Sequence, residues 1–161
     1  RAAGRFFVRA ANARALAALK PRVQACFEAG ALGAGAKVEV NWSDVDYLDL
    51  KSNAPLAEVF RTHGEALGRQ FLEPAALGGA GSTDMGNVSH RVPSIHPMLA
   101  CAPPNVVIHH PDFARWAASD MGDRAVLDGA RALALTAAEF LCSPALQVRT
   151  REAFEISRGL A

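Results

Sequence analysis

The densest chemistry in the chain lies in the polar, turn-forming run Gly81-Ser82-Thr83-Asp84-Met85-Gly86-Asn87-Val88-Ser89-His90, with Pro93-Ser94-Ile95-His96-Pro97 close behind. Hydroxyl, carboxylate, carboxamide and imidazole groups beside a short strand are what a site at a strand end requires, because rigid backbone must aim the side chains. The same residues equally suit a capped loop, with Ser82, Thr83 and Asp84 bonding nearby backbone amides. A second candidate is His109-His110-Pro111. Neutral imidazole is a common zinc ligand, and a rigid proline after it pre-organises the turn. One histidine is not a metal site, since zinc takes three or more protein ligands; the plainer reading is a histidine satisfied by backbone at a helix start. His63, four residues before Leu67, fits a core or surface histidine on a helix face. A triad of Ser89, a histidine and Asp84 can be drawn, but a chain with five histidines permits many such sets. The GxSxG elbow, the GxxxxGK[ST] loop, the HExxH helix and a GxGxxG run after a strand are all missing from the sequence.

The elements that would position these groups read as follows. Gly4–Arg9 predicts a short strand, and Lys37–Trp42 alternates with period two, as a half-buried strand does. Between them Asn12 caps a helix with Leu16, Leu19, Val23, Cys26 and Phe27 spaced by threes and fours, and Pro21 should kink or divide it. Residues 43–53 connect into a second body. There Asn53 and Pro55 start a helix whose apolar face is Leu56, Val59, Phe60, His63 and Leu67, with Gly68 as its stop. Residues 72–83 form a Gly- and Ala-rich loop, Val88–Val92 a strand ended by Pro93, and residues 94–105 an irregular segment. The apolar run Val106-Val107-Ile108 leads into the two histidines. Beyond Pro111 the pattern is helical. A short helix reaches Trp116, and a longer one from Asp120 or Asp123 aligns Val126, Leu127, Ala130, Leu133, Ala137, Phe140 and Leu141. The last is capped by Ser143-Pro144 and runs to about Ser157.

Composition bounds the partners. The chain has 161 residues, 50% of them hydrophobic and 20% charged, which is globular composition and not that of a disordered tail. Lys+Arg 17 against Asp+Glu 16 leaves a formal charge of +1 without long single-sign blocks, which argues against nucleic acid or an anionic membrane as a partner. About a fifth of the residues are alanine, which favours helices. No apolar run approaches the roughly 18–20 residues of a membrane span. Cys26, Cys101 and Cys142 lie far apart, so a reducing, cytoplasmic setting is expected over a disulfide framework. The sequence starts without methionine and enters directly on strand-like residues, which predicts that it begins inside a fold.

These motifs resemble a known family. The stretch GSTDMGNVSHRVPSIHP (81–97) is similar to a motif of the dinuclear-zinc aminoacylase and glutamate-carboxypeptidase family of amidohydrolases, nearest its aminobenzoyl-glutamate hydrolase and dipeptidase-like branch. VIHHPDF (107–113) resembles that family's C-terminal metal-histidine segment, with His109 at the ligand position and His110 at the variable one. Residues 4–40 look like the second half of the family's lid, and 47–68 like the return into the catalytic domain. The resemblance implies an α/β fold, part of a three-layer α/β/α zinc-peptidase domain (46–161) plus the second half of a ferredoxin-like α+β lid (1–45). It further implies two zinc ions, with manganese or cobalt as alternatives, and His109 as one ligand. Ser82, Thr83, Asp84, Asn87 and His96 would line the substrate pocket, and the general base would lie upstream of residue 1. The reaction implied is hydrolysis of an N-acyl or aminoacyl amide, in a dipeptide or an aminobenzoyl-glutamate-like substrate, by a cytoplasmic homodimer joined through the lid. The competing expectation is a non-catalytic dimerisation or binding module that has lost its metal site.

Overall fold

The computed structural model describes residues 1–72 and 83–159. Six helices account for most of its order: α1 (Ala13–Gly33), α2 (Ala54–Ala66), α3 (Met85–Ser89), α4 (Pro111–Ala117), α5 (Asp120–Cys142) and α6 (Pro144–Ser157). The chain divides into two compact units, one holding residues 1–50 with 83–87, the other holding 51–72 with 88–159 among the described residues.

In the first unit Asn12 caps α1 as its residue type requires, its Oδ1 accepting the Ala15 N–H at 2.9 Å. A second free amide of that first turn, Ala13 N–H, donates to Asp49 at 2.9 Å, so side chains from two places satisfy groups the helix cannot. Of the kink or division expected at Pro21, the division does not occur: α1 continues through it. A half-buried stripe of Leu16, Leu19, Lys20, Val23, Gln24 and Phe27 follows the helical repeat. Against it, Trp42 donates from Nε1 to Gln24 at 3.0 Å and lies 5.1 Å below the Lys20 ammonium, while the Phe6 and Phe27 rings meet at 4.9 Å.

The expected strands at 4–9 and 37–42 do not pair. A strand's hydrogen bonds come from its neighbours, and among the described residues neither segment has one. Residues 88–92 also depart from expectation. Val88 and Ser89 close the short helix α3 and a turn follows, because the polar residues ahead of them supply turn-forming bonds that outcompete extension. The run 106–108 is unpaired as well, with Val107 and Ile108 exposed. The β-pairing found among the described residues is an isolated parallel bridge between Ser52 and Ser94 in the second unit.

That second unit is a helical cluster in which α5 packs against α2, α4 and α6, and α2 also meets α6. Val59 and Phe60 of α2, Ala125 and Ala132 of α5 and Leu146 of α6 form its buried apolar centre. The α2 face is the one the sequence predicts. The α5 face is not: Gly122, Ala125, Asp128, Ala132 and Thr136 are buried, whereas Val126, Leu133 and Leu141 lie exposed. Small side chains let the neighbouring helices approach closely, and the buried Thr136 hydroxyl is satisfied by donating to Ala132 O at 2.7 Å. No described helix is long and apolar enough to cross a membrane.

Candidate active site

The motif segment of the first unit is built around a tight turn into α3. Thr83 Oγ1 accepts the Met85 N–H at 3.2 Å and lies 3.3 Å from Asp84 Oδ1. Thr83 O accepts from Gly86 at 3.2 Å, and Asp84 O from Asn87 at 3.0 Å. Asp84 is exposed and Thr83 half-buried. Asn87 grips the main chain elsewhere in the unit, accepting the Leu48 N–H at 3.1 Å and donating to Asp46 O at 2.9 Å. Gly86 is buried against the Leu48 carbonyl, where any Cβ would overlap the oxygen. Ser82 lies outside the described residues.

The remaining sequence candidates stand in the second unit. Ser89 is fully buried and its Oγ accepts the Lys51 N–H at 2.9 Å, so a triad that needs it as an accessible nucleophile fails. His96 is exposed on the irregular segment. His109 and His110 have different duties. His110 is the N-cap of α4, its Nδ1 lying 3.2 Å from the Asp112 N and 3.3 Å from Asp112 Oδ2. His109 is exposed, its ring engaged by no described residue, and its backbone sits at φ 64°, the left-handed region that costs a side-chain-bearing residue energy. Strain of this kind persists where surrounding structure imposes it, as at ligand-holding positions. His63 Nε2 meets Glu139 Oε2 at 2.9 Å, tying α2 to α5 at the surface.

The described residues do not by themselves fit a metal centre, since no three His, Cys, Asp or Glu side chains among them converge. His109 offers one imidazole where zinc needs three or more protein ligands. An open cleft of about 490 Å3 in the second unit, lined by Leu67, Asp123, Arg124, Asp128 and Arg131 among others, contains none of the sequence-predicted site residues. Beside it runs an ion pair that sequence reading missed: Arg69 and Asp128, with Nη2 and Nε of the arginine 2.7 and 2.9 Å from one carboxylate oxygen. A lone aspartate on the small-residue stripe of α5 was the available signal. The double grip of Asn87 was missed too, because a carboxamide in a polar loop reads the same whether it faces ligand or backbone.

Comparison with known proteins finds two similar dipeptidases. The chain is 34% identical over 152 residues to the Xaa-Arg dipeptidase of Mus musculus, and 33% identical over 153 residues to that of Homo sapiens. These alignments take in 93% and 94% of this chain but 35% of each relative, so the chain spans about a third of their length. No family model matches the chain. At the coarse level of a peptidase relationship, the chain is related to these dipeptidases.

Proposed function

We propose that this chain is part of a metal-dependent amidohydrolase that cleaves the amide bond of a dipeptide or similar N-acyl or aminoacyl substrate. The observation that carries the reading is the likeness to Xaa-Arg dipeptidases along nearly the whole chain. It agrees with the resemblance of residues 81–97 and 107–113 to amidohydrolase motifs. In this reading the substrate is a dipeptide, with C-terminal arginine as the first side chain to try, because the two relatives are named for it. Thr83 and the exposed Asp84 carboxylate are the described residues that this reading assigns to the substrate pocket. His109 supplies one imidazole to a zinc ion whose other ligands, like the general base, come from outside residues 1–161. When bound, such an ion polarises the scissile carbonyl and activates water. The accompanying architecture is the three-layer α/β/α catalytic domain with a ferredoxin-like lid that joins a cytoplasmic homodimer.

The test is hydrolysis by the purified intact gene product of a panel of dipeptides, glycyl-arginine among them, before and after chelation. Chelator-sensitive cleavage that returns with zinc supports the proposal. Absence of cleavage together with absence of bound metal overturns it and leaves the non-catalytic dimerisation or binding module.

A further inference from the structure

Asn87 uses both ends of its carboxamide on main chain. It accepts from Leu48 N–H at 3.1 Å and donates to Asp46 O at 2.9 Å, residues 39 and 41 positions away in sequence. Accepting from one residue and donating to another two positions earlier copies the pairing a neighbouring strand would offer. Gly86 adds a steric contact, with its α-carbon pressed on the Leu48 carbonyl so closely that only hydrogen fits. The gripped segment is itself anchored to the longest element of the unit. Asp46 receives both bonds of the Lys20 ammonium, at 2.9 and 3.0 Å, and Asp49 receives the Ala13 N–H, so both ends of 46–49 are fastened to α1. On the other side, Asp84 O–Asn87 N and Thr83 O–Gly86 N bonds make Thr83 and Asp84 the next links of one short turn.

We propose that Asn87 is a positioning residue: by gripping the main chain at Asp46 and Leu48, it fixes where Thr83 and the exposed Asp84 carboxylate stand relative to α1. The inference rests on the reading of Thr83 and Asp84 as pocket residues. It removes Asn87 itself from the set that touches substrate. Displacement of a reacting or orienting group by about 1 Å can cost up to a hundredfold in rate, which is the scale on which such a clasp matters.

Asn87→Ala and Asn87→Asp in the intact gene product test it, with two readouts. Aspartate keeps an acceptor for Leu48 N–H but sets a carboxylate oxygen against the Asp46 carbonyl; Asn87→Ser, which keeps a hydroxyl, serves if either variant fails to fold. In the alanine variant, amide exchange at Leu48 and Met85 should quicken about tenfold or more while α5 amides hold their rates. On glycyl-arginine, kcat should fall about ten- to a hundredfold with KM changed far less, the split expected when positioning and not ground-state binding is lost. Unchanged Leu48 or Met85 exchange overturns the proposal. So does faster exchange with kcat and KM both at wild-type values, which would make the clasp purely structural, and so does a rise in KM alone, which would make Asn87 a substrate contact. If the wild-type protein cleaves no dipeptide, the hydrolase reading fails by that result, and the exchange rates at Leu48 and Met85 still decide whether the clasp places Thr83 and Asp84.

Discussion

Arg69 and Asp128, 59 residues apart in sequence, are joined by two arginine nitrogens converging on one carboxylate oxygen, while the third, Nη1, donates to Ala100 O at 3.0 Å. Their side chains are 16% and 12% exposed, so each charge depends on the other for compensation. Removing one partner should cost about 1–3 kcal/mol, because the survivor loses a charge-assisted bond where water reaches it only partly. Arg69→Met with Asp128→Leu should recover most of that loss. Urea unfolding of the two single variants and the double variant checks it: strictly additive losses would mean that the pair is not coupled.

Asn53 does three jobs in the second unit. Its Oδ1 caps α2 at the Leu56 N–H, its Nδ2 donates to Thr150 O at 2.9 Å inside the core, and its own N–H donates to Ser94 O at 2.8 Å. Asn53→Ala should lose about 1 kcal/mol for the cap and about 0.5–1.5 kcal/mol more for the bond to Thr150 O, a carbonyl that keeps its partner within α6. Asn53→Asp retains the cap acceptor but buries a carboxylate oxygen against the Thr150 carbonyl, so thermal unfolding should place it no higher than alanine.

Three glycines should respond in opposite senses to alanine. At Gly122 a Cβ would meet the Ala117 carbonyl oxygen, and at Gly86 that of Leu48; both neighbours are backbone and cannot swing away. Each substitution should destabilise by about 1–3 kcal/mol or more. Gly30, inside α1, has open space around the added methyl, so Gly30→Ala should stabilise by about 0.5–1 kcal/mol through helix propensity. Denaturation midpoints at constant m-value decide all three, and a Gly86→Ala protein as stable as wild type would contradict the close approach described above.

His109 should show a trade between stability and function. At φ 64° a glycine relieves the side-chain penalty, so His109→Gly should gain about 1 kcal/mol of stability while abolishing the proposed metal contact. His110→Ala should do the reverse, losing about 1 kcal/mol with the α4 cap and leaving turnover near wild type. Zinc content and dipeptide turnover of both variants in the intact gene product, beside their melting temperatures, separate the two rings. Residues 1–161 alone, with one exposed imidazole for the proposed ion, should show no chelator-sensitive turnover.

Helix caps were the most legible feature of the sequence. Asn12, Asn53 and Ser143 each begin a helix where their side chains predict, and α6 runs Pro144–Ser157 as read. Capping is local chemistry, decided within four residues, and so survives without tertiary knowledge. Pairing is not local. Alternation at 37–42 marked which residues suit a strand, yet no partner lies beside them among the described residues. The buried side of α5 was misread for a related reason: periodicity finds the most apolar stripe, whereas packing here selected the smallest one, with Asp128 admitted through Arg69. In the motif, the residue types of Thr83 and Asp84 announced a turn. That Asn87 would reach back to Leu48 depended on chain crossing 39 residues away, which no window of sequence displays.

The outward ridge of α5 has a practical outcome. Val126 is 70% and Leu141 72% solvent-exposed, with Leu133 one turn from Ala130 and Ala137 on the same side. Oily surface gathered along one helix lowers colloidal stability. A preparation of residues 1–161 alone is therefore expected to clump as its concentration rises, and lysine at Leu133 should keep it dispersed.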